Sequence, residues 1–179
     1  MRRIWILLLL LAISCQLSAI SGQQTVDTCL LIKEDKLSIA KQYYDSAYRY
    51  LANHDYMSSL PKLIKVAELI ESLPEDMSDE EIHLTSRAYY QMGEVFSRMF
   101  INSYAAETAL RASQYQDMRQ DSVWMLYTKI RLAQSYQTMS EHDSVEFYIK
   151  QIIPLSDSVK HPDDYWVALH LVAKHHYDK

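Results

Sequence analysis

Beyond residue 22 the chain contains a single glycine, Gly93, and only four prolines. A chain so poor in glycine makes few of the tight reversals that join β-strands, and no Asn-Gly or Asp-Gly pair occurs anywhere in it. Apolar residues recur instead at intervals of three and four. Leu126, Ile130, Ala133 and Tyr136 form one such series, and Val145, Tyr148, Ile149 and Ile152 another. That is the period of one face of a helix. The spacing predicts an all-α protein.

Capping signals divide the pattern. Ser78-Asp79-Glu80-Glu81 has the form of a capping box, flanked by Met77 and Ile82 as a hydrophobic staple. Ser58 or Ser59 is placed to cap a helix with Pro61 in its first turn, where a missing N–H does no harm. Ser103, Asp121 and Asp143 each precede a new periodic run, and Pro74, Pro154 and His161-Pro162 mark joins. Together these predict seven helices, near 33–52, 58–72, 79–101, 103–116, 121–139, 142–154 and 162–177. Helix ends and starts two to eight positions apart make consecutive helices antiparallel neighbours.

The helices repeat. With a step of 40, Gly93 falls on Ala133 and Ala173, Met92 on Leu132 and Val172, Phe96 on Tyr136 and His176, and Ala105 on Val145. Tyr89 falls on Lys129 and Leu169 in the same frame. A step of 45 brings in a first hairpin through Tyr44, Ala47, Tyr48, Leu51, Leu60, Ile64 and Ala67. The unit Tyr89-x2-Met92-Gly93-x2-Phe96, followed by Ala105 and Ala112, resembles the tetratricopeptide repeat (TPR), a helix–turn–helix of pattern W-x2-L-G-x2-Y…A-x3-F. The spacing exceeds the 34 residues of that family, and Asp117 and Asp157 stand where it has proline. The resemblance implies antiparallel hairpins stacked as a TPR-like right-handed solenoid over residues 33–179, with the last repeat incomplete. It also gives Gly93 a purpose, since a small residue there lets the two helices of a hairpin approach closely.

Residues 1–22 read as an export signal: Arg2 and Arg3, then an apolar run from Ile4 to Ile13 too short to span a bilayer. Two processing routes compete. Ala12-Ile13-Ser14-Cys15 resembles a bacterial lipoprotein box, which would place a lipid on Cys15, whereas Ala19-Ile20-Ser21 would release a soluble protein. Residues 23–32 form a polar stretch that holds Cys29, with no partner cysteine if Cys15 is lipidated or removed. The expected location is periplasmic, with membrane contact only through that lipid.

Taking Arg2 and Arg3 from 18 basic residues, against 23 acidic ones, leaves a net charge of −7. Nucleic-acid binding relies on clustered Lys and Arg, so no nucleic-acid partner is expected. Phosphate loops and nucleophile elbows need clustered glycines that the chain lacks. Glu80-Glu81-Ile82-His83 has a Glu-x-x-His spacing without the second copy a di-iron bundle requires. His161, His170, His175 and His176 lack zinc spacing and read as solvated or groove-facing. The expectation is no metal, no cofactor and no enzymatic activity. Most of the 14 tyrosines read as core with the hydroxyl reaching an edge, Tyr90 and Tyr127 excepted.

In the TPR family the first helices of the units line a groove. Carried onto this chain, the groove positions are Gln42, Asp45, Arg49 and Asn53; Arg87, Tyr90, Glu94, Ser97 and Arg98; Tyr127, Ile130, Gln134 and Gln137; and His170 and Lys174. The resemblance thus implies an exported scaffold or adaptor that binds a protein or peptide in a polar groove. The whole also resembles the exported N-terminal repeat arrays of membrane-bound regulators in Bacteroides-type bacteria, so a severed sensory domain of such a transcriptional regulator is the alternative. Trp166, Leu169, Val172 and Ala173 would lack a second helix, and self-association there would cover them.

Overall fold

A computed structural model describes residues 33–73, 77–158, 167 and 170–175. Residues 1–32, with Cys15 and Cys29, lie outside the described residues, as do Pro74, His161, Pro162, Trp166, Leu169 and 176–179. The chain forms two compact units, Met1–Ile39 and Ala40–Lys179. Of the first, only the opening of helix α1 is described.

All regular structure among the described residues is helical. Helix α1 covers 33–52, α2 Tyr56–Glu71, α3 Asp79–Arg98, α4 Asn102–Arg119, α5 Ser122–Thr138 and α6 His142–Ser158. A last helix, α7, is described at 167 and 170–175. From α2 to α6 consecutive helices pack on one another, and α3 also reaches α5, so first helices of successive hairpins lie side by side.

Local chemistry explains most helix starts. The Ser78 capping box forms in full: the Glu81 carboxylate accepts from the Ser78 N–H at 2.6 Å, and the Ser78 hydroxyl accepts from the Glu81 N–H at 3.3 Å. Asp121 caps α5 by accepting from the Trp124 N–H at 3.3 Å. Three expectations need correction. Helix α2 starts at Tyr56, capped by Asp55 rather than Ser58 or Ser59, because Asp55 reaches the Ser58 N–H at 3.1 Å. Pro61 therefore sits inside the helix and removes a donor from its ladder. Helix α4 starts at Asn102, one residue before the expected start and with no side-chain cap from Ser103, whereas α6 starts at His142 as expected, with Asp143 in its first turn. Pro154 does not end α6, which runs on to Ser158.

The repeat is stricter in the backbone than in the sequence. His54, Phe100 and Ser140 take left-handed φ values of 59°, 60° and 61°. Each makes the same two closing bonds. The Phe100 N–H donates to the Ser97 carbonyl and the Ile101 N–H to that of Phe96, as their counterparts do at 54–55 and 140–141. These turns are 46 and 40 residues apart, so the first hairpin is related by 46, not 45. The shift matters for packing. Seven residues before each turn stand Ala47, Gly93 and Ala133, all buried, and five after it Ser59, Ala105 and Val145, also buried. Tyr48, aligned with Gly93 in the sequence reading, is instead 54% exposed. The longer first step is absorbed around the join between α2 and α3.

Gly93 does bring two helices together. A Cβ on it would lie 3.2 Å from Thr108 Oγ1 and 3.3 Å from the Ala105 carbonyl oxygen, both on α4. Ala133 does the equivalent work between α5 and α6, in a cluster with Leu126, Ile130, Ile152 and Leu171. Ile130 is thus core, not groove: its apolar side chain faces the second helix of its own hairpin. Ala106, Ala109 and Leu132 join α4 to α5.

Candidate functional site

The first helices share one face, and its centre is a ladder of arginines and rings. The Arg87 guanidinium carbon lies 5.2 Å from the ring centre of Tyr44 on α1 and 5.2 Å from that of Trp124 on α5. Trp124 meets Tyr90 edge-on at 5.2 Å and Tyr127 at 5.8 Å. Arg131 lies over the Tyr90 ring at 5.7 Å and pairs with Glu94 at 3.4 Å, which also accepts from Arg98 at 3.3 Å. Such contacts link α1, α3 and α5 through their side chains, each worth about 0.5–2 kcal/mol depending on how dry it is.

Two concavities flank this ladder. One, of about 260 Å³, lies between α1 and α3 and is lined by Tyr48, His54, Tyr56, Gln91, Glu94 and Arg98, with Leu51 and Ala52. The other, of about 380 Å³, lies between α5 and α7, among Gln134, Gln137, Val167, His170, Leu171 and Lys174. Four of the expected groove residues therefore surround one cavity: Gln134, Gln137, His170 and Lys174. Glu94 and Arg98 border the other.

The remaining expected residues fall elsewhere. Asp45, Arg49 and Asn53 form an exposed ridge along α1, in which Arg49 donates to the Asp45 carbonyl and Asn53 to that of Arg49. Gln42 is exposed and Ser97 partly buried. Arg87, Tyr90 and Tyr127 belong to the ladder itself. Trp124, Arg131, Gln91 and Tyr48 were missed by the sequence reading. For two of them a signal was available: Gln91 and Arg131 occupy one repeat position, 40 residues apart, two residues before the small one.

Titratable groups report the same environments. Burial pushes the Tyr44 hydroxyl above the usual tyrosine range, against the opposing pull of Arg87. Burial, then Arg119 and Arg87, hold the His83 imidazole below its usual pKa. Away from the face, Tyr89 and Tyr115 stack at 6.0 Å, and both donate to Glu71 Oε1, at 2.6 and 3.1 Å. Arg111 donates to the Tyr89 hydroxyl at 3.1 Å. Here the tyrosine expectation holds, rings packed and hydroxyls at an edge. It fails on α1, where Tyr43, Tyr48 and Tyr50 are exposed and Lys62 lies 5.9 and 5.4 Å from the first and last rings. His175 also departs from expectation, buried with its ring centre 6.0 Å from that of His142, because α7 turns it toward the start of α6. Among the described residues no group of three metal-ligating side chains is placed to hold an ion, and no helix is long and apolar enough to cross a membrane.

Repeated helical hairpins, a small residue at each hairpin crossing and a shared first-helix face define a TPR-like fold. A crystal structure of a TPR-like protein from Chlorobium tepidum TLS superposes with a TM-score of 0.64 at 13% identity, covering 80% of this chain and 98% of that one. No protein-family model matches the chain. No curated protein matches it either.

Proposed function

We propose that the protein is a non-catalytic interaction scaffold that holds a segment of another polypeptide against its first helices. The observation that carries this is the cavity between α5 and α7, where Gln134, Gln137, His170 and Lys174 converge around the apolar Val167 and Leu171. Amide, imidazole and ammonium groups on an apolar floor suit a peptide backbone and its polar side chains. The apolar leader from Ile4 to Ile13 supports export, so this scaffold works outside the cytoplasm, in the periplasm of a bacterium.

Selection of peptides from a random displayed library tests the reading. Enriched peptides should lose at least tenfold in affinity to a Gln134→Ala, His170→Ala, Lys174→Ala variant or to a Tyr48→Ala, Arg98→Ala variant. A Lys65→Ala, Glu68→Ala control on the exposed side of α2 should bind as the parent does. Absence of any enriched peptide, or equal binding by all variants, would overturn it.

A further inference from the structure

Residues 99–106, Met-Phe-Ile-Asn-Ser-Tyr-Ala-Ala, carry no charge, and they span the turn between α3 and α4 and the start of α4. The equivalent turns of the neighbouring hairpins carry acids, Asp55 in one and Glu141 and Asp143 in the other. At the uncharged tip Phe100 is 86% exposed and Tyr104 55%, with the Tyr104 ring centre 5.4 Å from that of Phe96. Phe100 also takes the left-handed φ of 60° at the position where the other two turns have His54 and Ser140. A bulky residue is strained there. The tip therefore combines backbone strain with an exposed phenyl ring, and burial of the ring offsets neither.

We propose that this tip docks into a lipid bilayer at headgroup depth, a membrane contact separate from the lipid expected on Cys15. It takes from the export reading only the presence of a membrane, and nothing from the reading of the first-helix face. Aromatic rings with one polar end favour the boundary between headgroups and acyl chains, and Tyr104 presents such a ring close to the apolar Phe100. The donors that close the turn are already used. The Phe100 N–H donates to the Ser97 carbonyl and the Ile101 N–H to that of Phe96, which lowers the cost of withdrawing water from them. Area decides against a second copy of the chain as the occupant. The two exposed rings present roughly 300 Å², whereas a stable dimer needs about 800 Å² from each partner. A fluid bilayer needs no matching surface, so a protruding tip can enter it. Charge decides which lipid. Arg98, the base next to the tip in sequence, is paired with Glu94, and the flanking turns supply Asp55, Glu141 and Asp143. Anionic headgroups are repelled by that rim and zwitterionic ones are not.

Two tryptophan reporters provide the test, Phe100→Trp at the tip and Ser140→Trp at the equivalent turn of the next hairpin. The protein is produced with its own leader, so it keeps whatever anchor processing leaves on it. It is then combined with phosphatidylcholine vesicles whose brominated acyl chains quench indole fluorescence on contact. Emission in excess of the parent protein should fall about twofold or more for the reporter at 100 and stay unchanged for the one at 140. Tyr104→Asp added to Phe100→Trp should abolish the quenching, and replacing part of the lipid with phosphatidylglycerol should weaken it. Equal quenching at both positions, or none at either, would overturn the inference. Sedimentation that shows a dimer in the parent and a monomer in Phe100→Asp would also overturn it, by assigning the tip to a second copy of the chain. Failure on any of these counts leaves the scaffold reading standing, because peptide selection reads a different surface. Recovery of the protein with its leader uncleaved counts against export alone, and the quenching still reports on the tip.

Discussion

His54, Phe100 and Ser140 each occupy a left-handed backbone conformation that glycine adopts more easily. A left-handed residue after a helix commonly satisfies its last carbonyls, and glycine is the usual occupant. Here a histidine, a phenylalanine and a serine do it, so nothing in the residue types announces the turns. Ser140 is exposed, and replacing it should relieve the strain without disturbing a contact. Ser140→Gly is expected to raise stability by about 0.5–1 kcal/mol, the αL penalty less the entropy cost of glycine. A urea midpoint that stays the same or falls would contradict that. The same scale explains the sequence register error: without a glycine to mark the turn, Tyr48 and Ala47 were equally plausible partners for Gly93, and only the backbone separates them.

Hairpins are closed by one small residue each. At the α3–α4 crossing the spacing leaves Gly93 only a few tenths of an ångström short of tolerating a methyl group. Gly93→Ala should therefore change stability by less than about 1 kcal/mol, because the gain in helix propensity offsets the tight contacts. Gly93→Leu should lose about 3 kcal/mol, since the neighbours include the Ala105 backbone, which cannot step aside as a side chain can. Chemical denaturation of both variants distinguishes packing from propensity: if leucine is tolerated as well as alanine, the crossing is not close. Element ends were less legible than element identity. Asp55 was overlooked as a cap because two serines follow it nearby, which put Pro61 in the first turn rather than deeper in the helix, and Pro154 was read as a boundary although it lies inside α6. Packing on neighbouring helices outweighs a local proline penalty when the rest of the face is buried.

Across the whole molecule, the hairpins are tied together by polar and aromatic contacts as well as by apolar ones. Glu71 at the end of α2 receives hydroxyls from Tyr89 on α3 and Tyr115 on α4. Burial first, and then the Glu71 carboxylate, push the Tyr115 pKa up to about 12, and Tyr89 is raised as well. An unfolded tyrosine ionises near 10, so folding favours the neutral hydroxyls. Their contribution is complete below pH 10 and is lost as pH rises toward 12. The urea midpoint should fall across that window, and Glu71→Gln should make the fall shallower by removing the negative charge that tyrosinate would face. An identical pH profile in the variant would remove Glu71 from the account. Class and helix number followed from the sequence alone, because helical periodicity and glycine scarcity are local properties that any fold of this chain must obey, and the role of Gly93 followed from the repeat resemblance. Four residues around the α5–α7 cavity were also legible, since repeat position dictates which side of a first helix they occupy. Only the tertiary structure decided that Ile130 and His175 face inward, that the first step is 46, and that Arg87 is stacked between the rings of Tyr44 and Trp124. Those facts depend on which neighbour a side chain meets, and the neighbours come from helices up to two elements away.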